Sequence, residues 1–516
     1  MLLAGALGTA AAVSGAPSAH PDSLGVRLGE VEVSDRAPLA RVGADGVMRF
    51  GREALGSVPQ MFGEADPLRY MNLLPGMTTI SDYSSGSSAD GMAYSQNSYS
   101  LNGIPVNFPY HFGGIFSVFN PRLYRDAKLE KSIRGAAGED VLGAVAGVES
   151  GMSPRRDIAG ELNAGMLSSS GYLAVPMAGG RVSVEAAARV SYINALYASF
   201  LRMDGSQARY DFGDFDAVVN YAPTGRDNLR GTVHYNRDHV TYDDVAYSLM
   251  TLLRWRNTAA GIDWRHEGDH MTMTHSAYYS GFSNRLGLDM GQIRLSAPTS
   301  IDRWGVKGVM EWGELADRLE LSAGYSAELY RIVPQGVELS GFGSGSSNGE
   351  QERGSGEVKL WGEVKWHFAP GWSLRGGLAL PAYFGDDGYR VVTADPRVTV
   401  TRRMGRGDLS FHVGRYHQFL HQVGFSEMGM SSNFRIGATS SIPAQESWNF
   451  VVTGGWRPAE WLSLTLDGYW KRVLHDPEYT GAVLDIVNPD YKCDAYITSP
   501  SGFSTCLLYT SPSPRD

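Results

Sequence analysis

The chain has 516 residues, enough for several ordinary domains or one very large one. It carries 45 Lys and Arg against 55 Asp and Glu, a formal net charge of -10, and has no long basic run, which argues against nucleic acid as a partner. Its 2 cysteines exclude a disulfide framework and a cysteine-based metal site.

The N-terminal stretch MLLAGALGTAAAVSGAPSA is apolar and rich in small residues. It predicts a signal peptide over residues 1–19 that lacks a basic first segment, and a disordered Ala/Gly tail is the alternative. No other apolar run reaches the roughly twenty residues of a membrane-spanning helix, so a membrane location would require a β-barrel. Within the following segment, 20–45, a short extended stretch holds Leu28, Glu30, Val31 and Val33.

Residues 46–152 form a Gly-rich block without long alternating strands. Three pieces of it stand in order: LPGM at Leu74–Met77, SLNGIPV at Ser100–Val106, and IRGAAGEDVLGAVAGVES at Ile133–Ser150. Asn102-Gly103 in the second piece is a turn dipeptide. The block therefore reads as one compact domain.

From residue 153 to 505, apolar and polar residues alternate over spans longer than a globular strand. In RLELSAGYSAELY, one face holds Leu319, Leu321, Ala323, Tyr325, Ala327 and Leu329, and the other face is polar. NLRGTVHYN places Leu229, Val233 and Tyr235 opposite Arg230, Thr232 and His234, and WLSLTLDGYW repeats the pattern. Strands with one apolar and one wet face are typical of a transmembrane barrel.

The connections alternate in length, which also favours an outer-membrane barrel over a soluble β-sandwich or propeller. Short turns are predicted at 222–228, 267–269, 313–317, 369–371, 404–407 and 457–460. Long loops are predicted at 194–211, 236–253, 284–300, 331–354 and 417–446. Eight tryptophans near strand ends suit the interfacial girdles: Trp264, Trp304, Trp312, Trp361, Trp366, Trp372, Trp456 and Trp461.

This pattern gives about fifteen strands, an odd number that we expect to prevent an antiparallel sheet from closing with an unbroken ladder. The chain ends in CLLYTSPSPRD. Residues 506–516 resemble the translation of a synthetic DNA-sequencing adapter. The sequence therefore predicts that the barrel is a fragment.

Taken together and in this order, the three glycine-rich pieces resemble the plug domain of TonB-dependent outer-membrane receptors. The resemblance implies an all-β transmembrane barrel, with about fifteen of an expected twenty-two antiparallel strands present, and an N-terminal α+β plug domain. It implies uptake of an extracellular nutrient, driven by the periplasmic TonB complex, through a protein embedded in outer-membrane lipid; a surface lipoprotein is a further candidate partner. No cofactor is implied.

By the same resemblance, Leu28, Glu30, Val31 and Val33 contact TonB, because an exposed extended segment can pair with a partner's sheet edge. The alternative is that this stretch is simply the first strand of the plug. The family pattern also implies that plug loops rise outward and meet substrate. The candidate residues are Tyr94, Gln96, Asn97, Asn107, Tyr110 and His111.

These six side chains include no Arg or Lys, which favours a neutral glycan or a peptide over an anionic ferric chelate unless barrel loops supply the charge. The alternative is that they pack the plug against the wall. No catalytic or metal site is predicted. GSSNG at 345–349 lies in a low-complexity loop without the strand and helix of a nucleophile elbow. The alternative function is that of a non-transporting plugged barrel, which acts as an adhesin or as an assembly partner.

Overall fold

The computed structural model describes residues 41–42, 46–51, 54, 62–79, 86–114, 116–203, 205–246, 248–313, 318–334, 338–340, 346–347, 352–423, 434–459, 462–479, 495–498 and 504–509. All of them belong to one compact unit, Leu39–Asp516. None of the helices in these ranges is long and apolar enough to cross a membrane.

The N-terminal domain is a small mixed fold whose described elements lie within residues 41–152. Its strands are β1 Arg41–Val42, β2 Val47–Phe50, β3 Met77–Thr79, β4 Ser87–Ala89, β5 Ser98–Leu101, β6 Ile104–Pro105, β7 Asp126–Glu130 and β8 Val145–Glu149. Its helix α1 is Pro67–Asn72, and two 3₁₀ turns span Tyr94–Gln96 and Phe112–Gly114. The main sheet has the order β1-β2-β7-β8-β5-β6, with β5 parallel to β8.

Helix α1 begins where its sequence provides a start signal. Asp66 caps it by accepting a hydrogen bond from the Arg69 backbone N–H at 3.0 Å, and Pro67 occupies the first turn, where no backbone N–H is needed. Leu68 and Met71, each 1 % exposed, pack on the sheet. This burial, rather than helix propensity, holds so short a helix in place.

The second domain is a large antiparallel sheet. Its strands are β9 Ala159–Ala164, β10 Ser168–Met177, β11 Val182–Ser191, β12 Arg202–Met203, β13 Ser206–Tyr221, β14 Asp227–Asp244, β15 Leu249–Glu267, β16 Met271–Asp289, β17 Arg294–Trp312, β18 Leu319–Val333, β19 Glu338–Ser340, β20 Ser346–Ser347, β21 Arg353–Ala369, β22 Trp372–Gly385, β23 Arg390–Val392, β24 Asp395–Met404 and β25 Gly407–Gln418, followed after an inserted hairpin by β28 Gln445–Ala459 and β29 Leu462–Leu474. Helix α2, Ile193–Tyr197, follows β11, and a 3₁₀ turn, Ala178–Gly180, joins β10 to β11.

The inserted hairpin between β25 and β28 consists of β26 Leu420–Val423 and β27 Phe434–Gly437. A separate three-stranded sheet follows β29, with β30 Pro477–Tyr479, β31 Ala495–Thr498 and β32 Ser504–Tyr509. Strand β32 includes part of the segment 506–516. The adapter origin of that segment stays a prediction, and so do the predicted domain boundaries.

The predicted alternation separates the two faces of the barrel strands. On β14, Arg230, Thr232 and His234 are buried inside the barrel, whereas Val233 and Tyr235 are 46 % and 38 % exposed on the outside. The period of two that was read from the sequence is therefore confirmed on this strand, because alternate side chains point to opposite faces. The outer face is apolar and the inner face is polar, as in a barrel that crosses a membrane.

Two of the five predicted long loops are wrong. Residues 236–253 and 284–300 continue the long strands β14 to β17, and only residues 245–248 and 290–293 connect them. These segments are rich in charged and polar residues, so the apolar alternation that marks a barrel strand is interrupted there. Strands of 18 and 19 residues exceed the roughly ten that cross a bilayer, so their far ends need no apolar face.

Fifteen of the barrel strands have six residues or more, which agrees with the number predicted. The sheet is closed, with β29 next to β9, so its two ends meet. The expectation that an odd number of strands prevents an unbroken antiparallel ladder stays a prediction. Antiparallel residue pairs join β9 to β10 and β28 to β29. Leu162 on β9 and Leu466 on β29 are 90 % and 79 % exposed, like other apolar residues on the outer face of the barrel.

Most of the predicted girdle tryptophans face outward. Trp264, Trp304, Trp366, Trp372 and Trp456 are between 37 % and 58 % exposed. The prediction is wrong for Trp361, which is 8 % exposed and packs inside the barrel against Ala136 of the plug. Trp361 occupies an inward position of β21, the face of Lys359, whereas Val358 and Leu360 are exposed on the outside, so the alternation of its neighbours indicated this position. Trp461 lies outside the described residues.

Candidate functional site

The inner wall of the barrel holds the N-terminal domain through groups of buried polar side chains. The first group, which we name the outer anchor, consists of Glu64, His111, Arg189, Asp214 and Asp238, none more than 7 % exposed. The guanidinium of Arg189 donates to Glu64 Oε2 at 2.8 Å and to Asp214 Oδ2 at 2.6 Å. Glu64 and His111 belong to the plug and the other three to β11, β13 and β14, so the anchor joins the two domains.

His111 completes this anchor. Its ring nitrogens lie 3.1 Å from the carboxylate of Asp214 and 2.9 Å from that of Asp238. Burial alone lowers the pKa of His111, but the two carboxylates outweigh it and raise the pKa to about 9. The ring is therefore protonated near neutral pH and offers a donor to each carboxylate.

The second group, the turn anchor, is built on the Asn102-Gly103 dipeptide. Both residues have positive φ, 47° and 77°, which confirms the turn predicted from the sequence. Asn102 Oδ1 accepts from the Ser150 backbone N–H at 2.9 Å and from Arg230 Nη1 at 3.1 Å. Its Nδ2 donates to Thr232 Oγ1 at 3.0 Å, so one amide ties two plug strands to the wall.

Replacing Asn102 by Ala should lower the stability of the plug within the barrel by about 2 to 3 kcal/mol. The Ser150 N–H and Arg230 would lose their buried acceptor, and alanine tolerates the positive φ of this position less well than asparagine does. The measurement is the urea concentration at which the plug unfolds, read as the rise in pore conductance in planar bilayers. The control is Asn228→Ala near the start of β14. Equal midpoints for the two variants would contradict the role of the turn anchor.

Further ion pairs attach the C-terminal half of the plug. Lys131 Nζ lies 3.1 Å from Asp90 in the plug and 3.2 Å from Asp467 on β29. Asp140 lies 2.8 Å from Lys359 Nζ on β21. The plug is thus fixed to both halves of the wall by buried or partly buried ion pairs, whose loss would leave charges unpaired.

The hairpin β26–β27 folds into the barrel. It packs against the 3₁₀ turn Tyr94–Gln96 of the plug and against β17 and β18. Phe434 and Ile436 are only 2 % and 4 % exposed, and the preceding Phe419 stacks on Tyr383 with ring centroids 5.3 Å apart. This part of the plug is therefore covered from the side of the barrel where the long connections lie.

The opposite end of the barrel is hollow. A cavity of about 1540 Å³ lies between the plug sheet and the wall and reaches the short turn 268–270. Charged side chains of both signs line it, among them Lys128, Glu130, Glu139, Lys307, Glu320 and Lys365. A polar lining keeps such a space hydrated, so a solute could move through it once the plug shifts.

Solved structures with the same arrangement are known. An E. coli outer-membrane transporter, YddB, matches with a TM-score of 0.64 at 10 % identity over 92 % of this chain and 74 % of that one. A mutant of the ferric enterobactin receptor PfeA of Pseudomonas aeruginosa, in complex with enterobactin, matches with a TM-score of 0.61 at 13 % identity over 91 % and 77 %. The alcaligin outer-membrane receptor FauA of Bordetella pertussis gives 0.59 at 12 % over 93 % and 80 %.

The fold is that of the TonB-dependent outer-membrane receptors. The barrels of these neighbours lie in the outer membrane, and the plugged barrel described above agrees with that location. No protein-family model and no curated protein matches the chain. The comparison with this receptor fold therefore rests on structure and on the motifs of the plug.

Most of the plug residues proposed to meet substrate are buried. Gln96, Asn97, Tyr110 and His111 are 2 %, 4 %, 3 % and 1 % exposed. Asn97 donates to Ser87 O within the plug, and Gln96 donates to Asp476 beyond the end of β29. Tyr94 and Asn107 are partly exposed. Leu28, Glu30, Val31 and Val33 lie outside the described residues.

Sequence reasoning missed the residues that fix the plug and cover it. Arg189, the centre of the outer anchor, lies on β11. The sequence of this strand shows only an alternation of residues, which does not indicate which inward side chain contacts the plug. The hairpin β26–β27 was read as part of a long loop, 417–446, although the short apolar pieces around Leu420 and Ile436 could have indicated a buried return into the barrel. His421 on this hairpin is 1 % exposed, and burial lowers its pKa to about 4, so it is neutral.

Proposed function

We propose that this chain is an energy-coupled importer of the outer membrane, which takes up a scarce or large nutrient with energy supplied by the periplasmic TonB complex. The observation that carries the proposal is a plug held inside a barrel, covered by a hairpin on one side and bordered by a polar cavity of about 1540 Å³ on the other. A passive pore needs no plug, and an adhesin needs no hydrated space beneath one.

The mechanism follows from the anchors. Substrate binds above the plug, TonB pulls on the segment at 20–45, and the plug rearranges until the cavity becomes continuous with the chamber above it. In this mechanism the outward apices of the plug are formed by Tyr94, Gln96, Asn97, Asn107, Tyr110 and His111. Tyr94 and Asn107 are accessible before the plug moves. The buried charged anchors return the plug to its resting position, because separating them costs several kcal/mol.

The substrate class is a glycan, a peptide, a siderophore or a cobalamin. The accessible plug side chains, Tyr94 and Asn107, are neutral and suit hydroxylated or amide-bearing ligands. Arg435 on the covering hairpin is partly exposed and brings a positive charge, which an anionic chelate would use. The neighbours named for enterobactin and alcaligin support a ferric siderophore, at sequence identities of 13 % and 12 %.

The uptake test uses a host that lacks its own receptors. Cells producing the chain are given radiolabelled ferric enterobactin, ferric alcaligin, cyanocobalamin and a labelled oligosaccharide. We expect accumulation of one of these ligands that stops when TonB is deleted. Surface binding without any TonB-dependent accumulation would favour the alternative, a non-transporting plugged barrel that acts as an adhesin or assembly partner.

Deleting Leu28 to Ser34 should abolish uptake while leaving surface binding of the same ligand unchanged, because the deletion removes the segment that TonB grips and not the binding chamber. The measurement is accumulation against binding at low temperature in intact cells. A matched deletion of seven residues, Ala4 to Ala10, within the predicted signal peptide would instead lower the amount of protein in the membrane. Unchanged uptake after the first deletion would remove the TonB-contacting role of Leu28, Glu30, Val31 and Val33.

A further inference from the structure

A second cavity, of about 810 Å³, lies on the barrel wall at strands β14 to β18, near the ends of these strands that carry the long connections. Five arginines contribute to it: Arg237, Arg254, Arg256, Arg285 and Arg331, which we name the arginine patch. All five are exposed, and they alternate along their strands with residues that point into the barrel. The patch is therefore on the outside of the barrel.

The patch concentrates like charges at positions that face each other. Arg237 is directly opposite Arg256, and Arg254 is directly opposite Arg285. Like charges in directly opposed positions destabilise a sheet. In a chain with a formal net charge of -10, such a concentration of positive charge needs an explanation.

Protein acids compensate the patch only in part. Arg331 pairs with Asp302 at 3.1 Å, and Arg256 donates to Ser283 Oγ at 2.9 Å. Across the described ranges of the chain, Arg237, Arg254 and Arg285 have no ion-pair partner within 4.0 Å. Three neighbouring guanidinium groups are thus available to an anion from outside the protein.

The position of the arginine patch along the barrel strands, relative to the apolar band, indicates which anion reaches it. Tyr235 is two residues below Arg237 on β14, about 7 Å along the strand. At the next level of the same wall, Trp304 and Leu329 are opposite each other and are 44 % and 65 % exposed. The patch therefore borders the upper edge of the apolar, aromatic-flanked band that contacts lipid chains.

We propose that the arginine patch binds the phosphate groups of a lipid headgroup in the outer leaflet, with the acyl chains of that lipid on the apolar wall below. A free phosphate could satisfy the guanidinium groups but would gain nothing from Trp304 and Leu329. A phosphorylated lipid uses both surfaces at once. Arginine is suited to this role, because its planar guanidinium forms paired hydrogen bonds to phosphate oxygens.

The test is direct binding by the purified full chain in neutral detergent, measured by native mass spectrometry and by titration. The probes are bisphosphorylated lipid A, the same lipid A with its phosphates removed, phosphatidylglycerol and inorganic phosphate. We expect bisphosphorylated lipid A to bind more tightly than the other three. Equal binding of the dephosphorylated lipid or of inorganic phosphate alone would overturn the proposal.

Two variants locate the site. The triple change Arg237→Ser, Arg254→Ser and Arg285→Ser should weaken binding of bisphosphorylated lipid A by at least about ten-fold, because three exposed charge contacts are lost together. The single change Arg237→Gln should give a smaller loss in a protein that is hardly perturbed. The matched control replaces three arginines at the short-turn end, Arg226, Arg265 and Arg406, by Ser, and its affinity should equal that of the wild type. A triple variant that binds as tightly as this control would overturn the assignment.

Discussion

Replacing Arg189 by Met should lower the stability of the plug within the barrel by about 3 to 5 kcal/mol, the largest single effect that we expect in this chain. The guanidinium is the common partner of Glu64 and Asp214, and its side chain is 3 % exposed. Methionine fills much of the same volume but leaves the buried carboxylate of Glu64 without its cation and that of Asp214 with His111 alone. The urea midpoint of pore opening in planar bilayers should fall accordingly.

The control for this change is an arginine that also forms an ion pair but lies in water. Arg294 contacts Asp289 at 2.7 Å, and its side chain is 71 % exposed. Arg294→Met should change the midpoint by less than about 1 kcal/mol, because exposed ion pairs contribute little. If Arg189→Met left the plug as stable as Arg294→Met does, the outer anchor would not hold it.

Raising the pH from 6 to 10 should loosen the plug in the wild type, with a loss of about 3 kcal/mol that is absent in His111→Gln. The pKa of His111 is raised from 6.5 to about 9 by Asp214 and Asp238, against the effect of burial. Because the folded-state pKa is the higher one, the contribution is complete below pH 6.5, declines between pH 6.5 and about 9, and has vanished above that range.

This prediction is measured as the urea midpoint of pore opening across the pH series for both proteins. The midpoints should differ most at low pH and converge above pH 9, since the neutral ring no longer offers a donor to both carboxylates. His270→Gln, in an exposed short turn, should follow the wild-type profile at every pH. A difference between wild type and His111→Gln that does not vary with pH would show that the ring contributes only by packing.

The fold was largely predictable because barrel strands repeat one simple rule. Alternation at Arg230, Thr232 and His234 distinguished inside from outside, and the Asn102-Gly103 turn was recognisable from the backbone conformation that its residues favour. The strand extensions at 236–253 and 284–300 were not predictable in the same way. Beyond the lipid both faces of a strand meet water, so the alternation fades although the hydrogen-bonded ladder continues.

The site was predicted less well for a different reason. The six plug residues were predicted from a family pattern. Such a pattern gives their positions along the chain but does not show which side chains of the barrel wall surround them. His111 is in contact with Asp214 and Asp238, residues more than a hundred positions away in sequence. Nothing local in the sequence identifies which loop residue reaches a wall carboxylate, so anchoring and substrate contact could not be distinguished before the structure.

The contact between Lys131 and Asp467 links residues 336 positions apart, and the backbone N–H of Arg134 reaches the hydroxyl of Tyr416, 282 positions later, at 3.4 Å. Contacts of such high sequence separation form late and slowly. The plug is therefore locked in place only late in folding, after the distant wall strands that carry Tyr416 and Asp467 have taken their places.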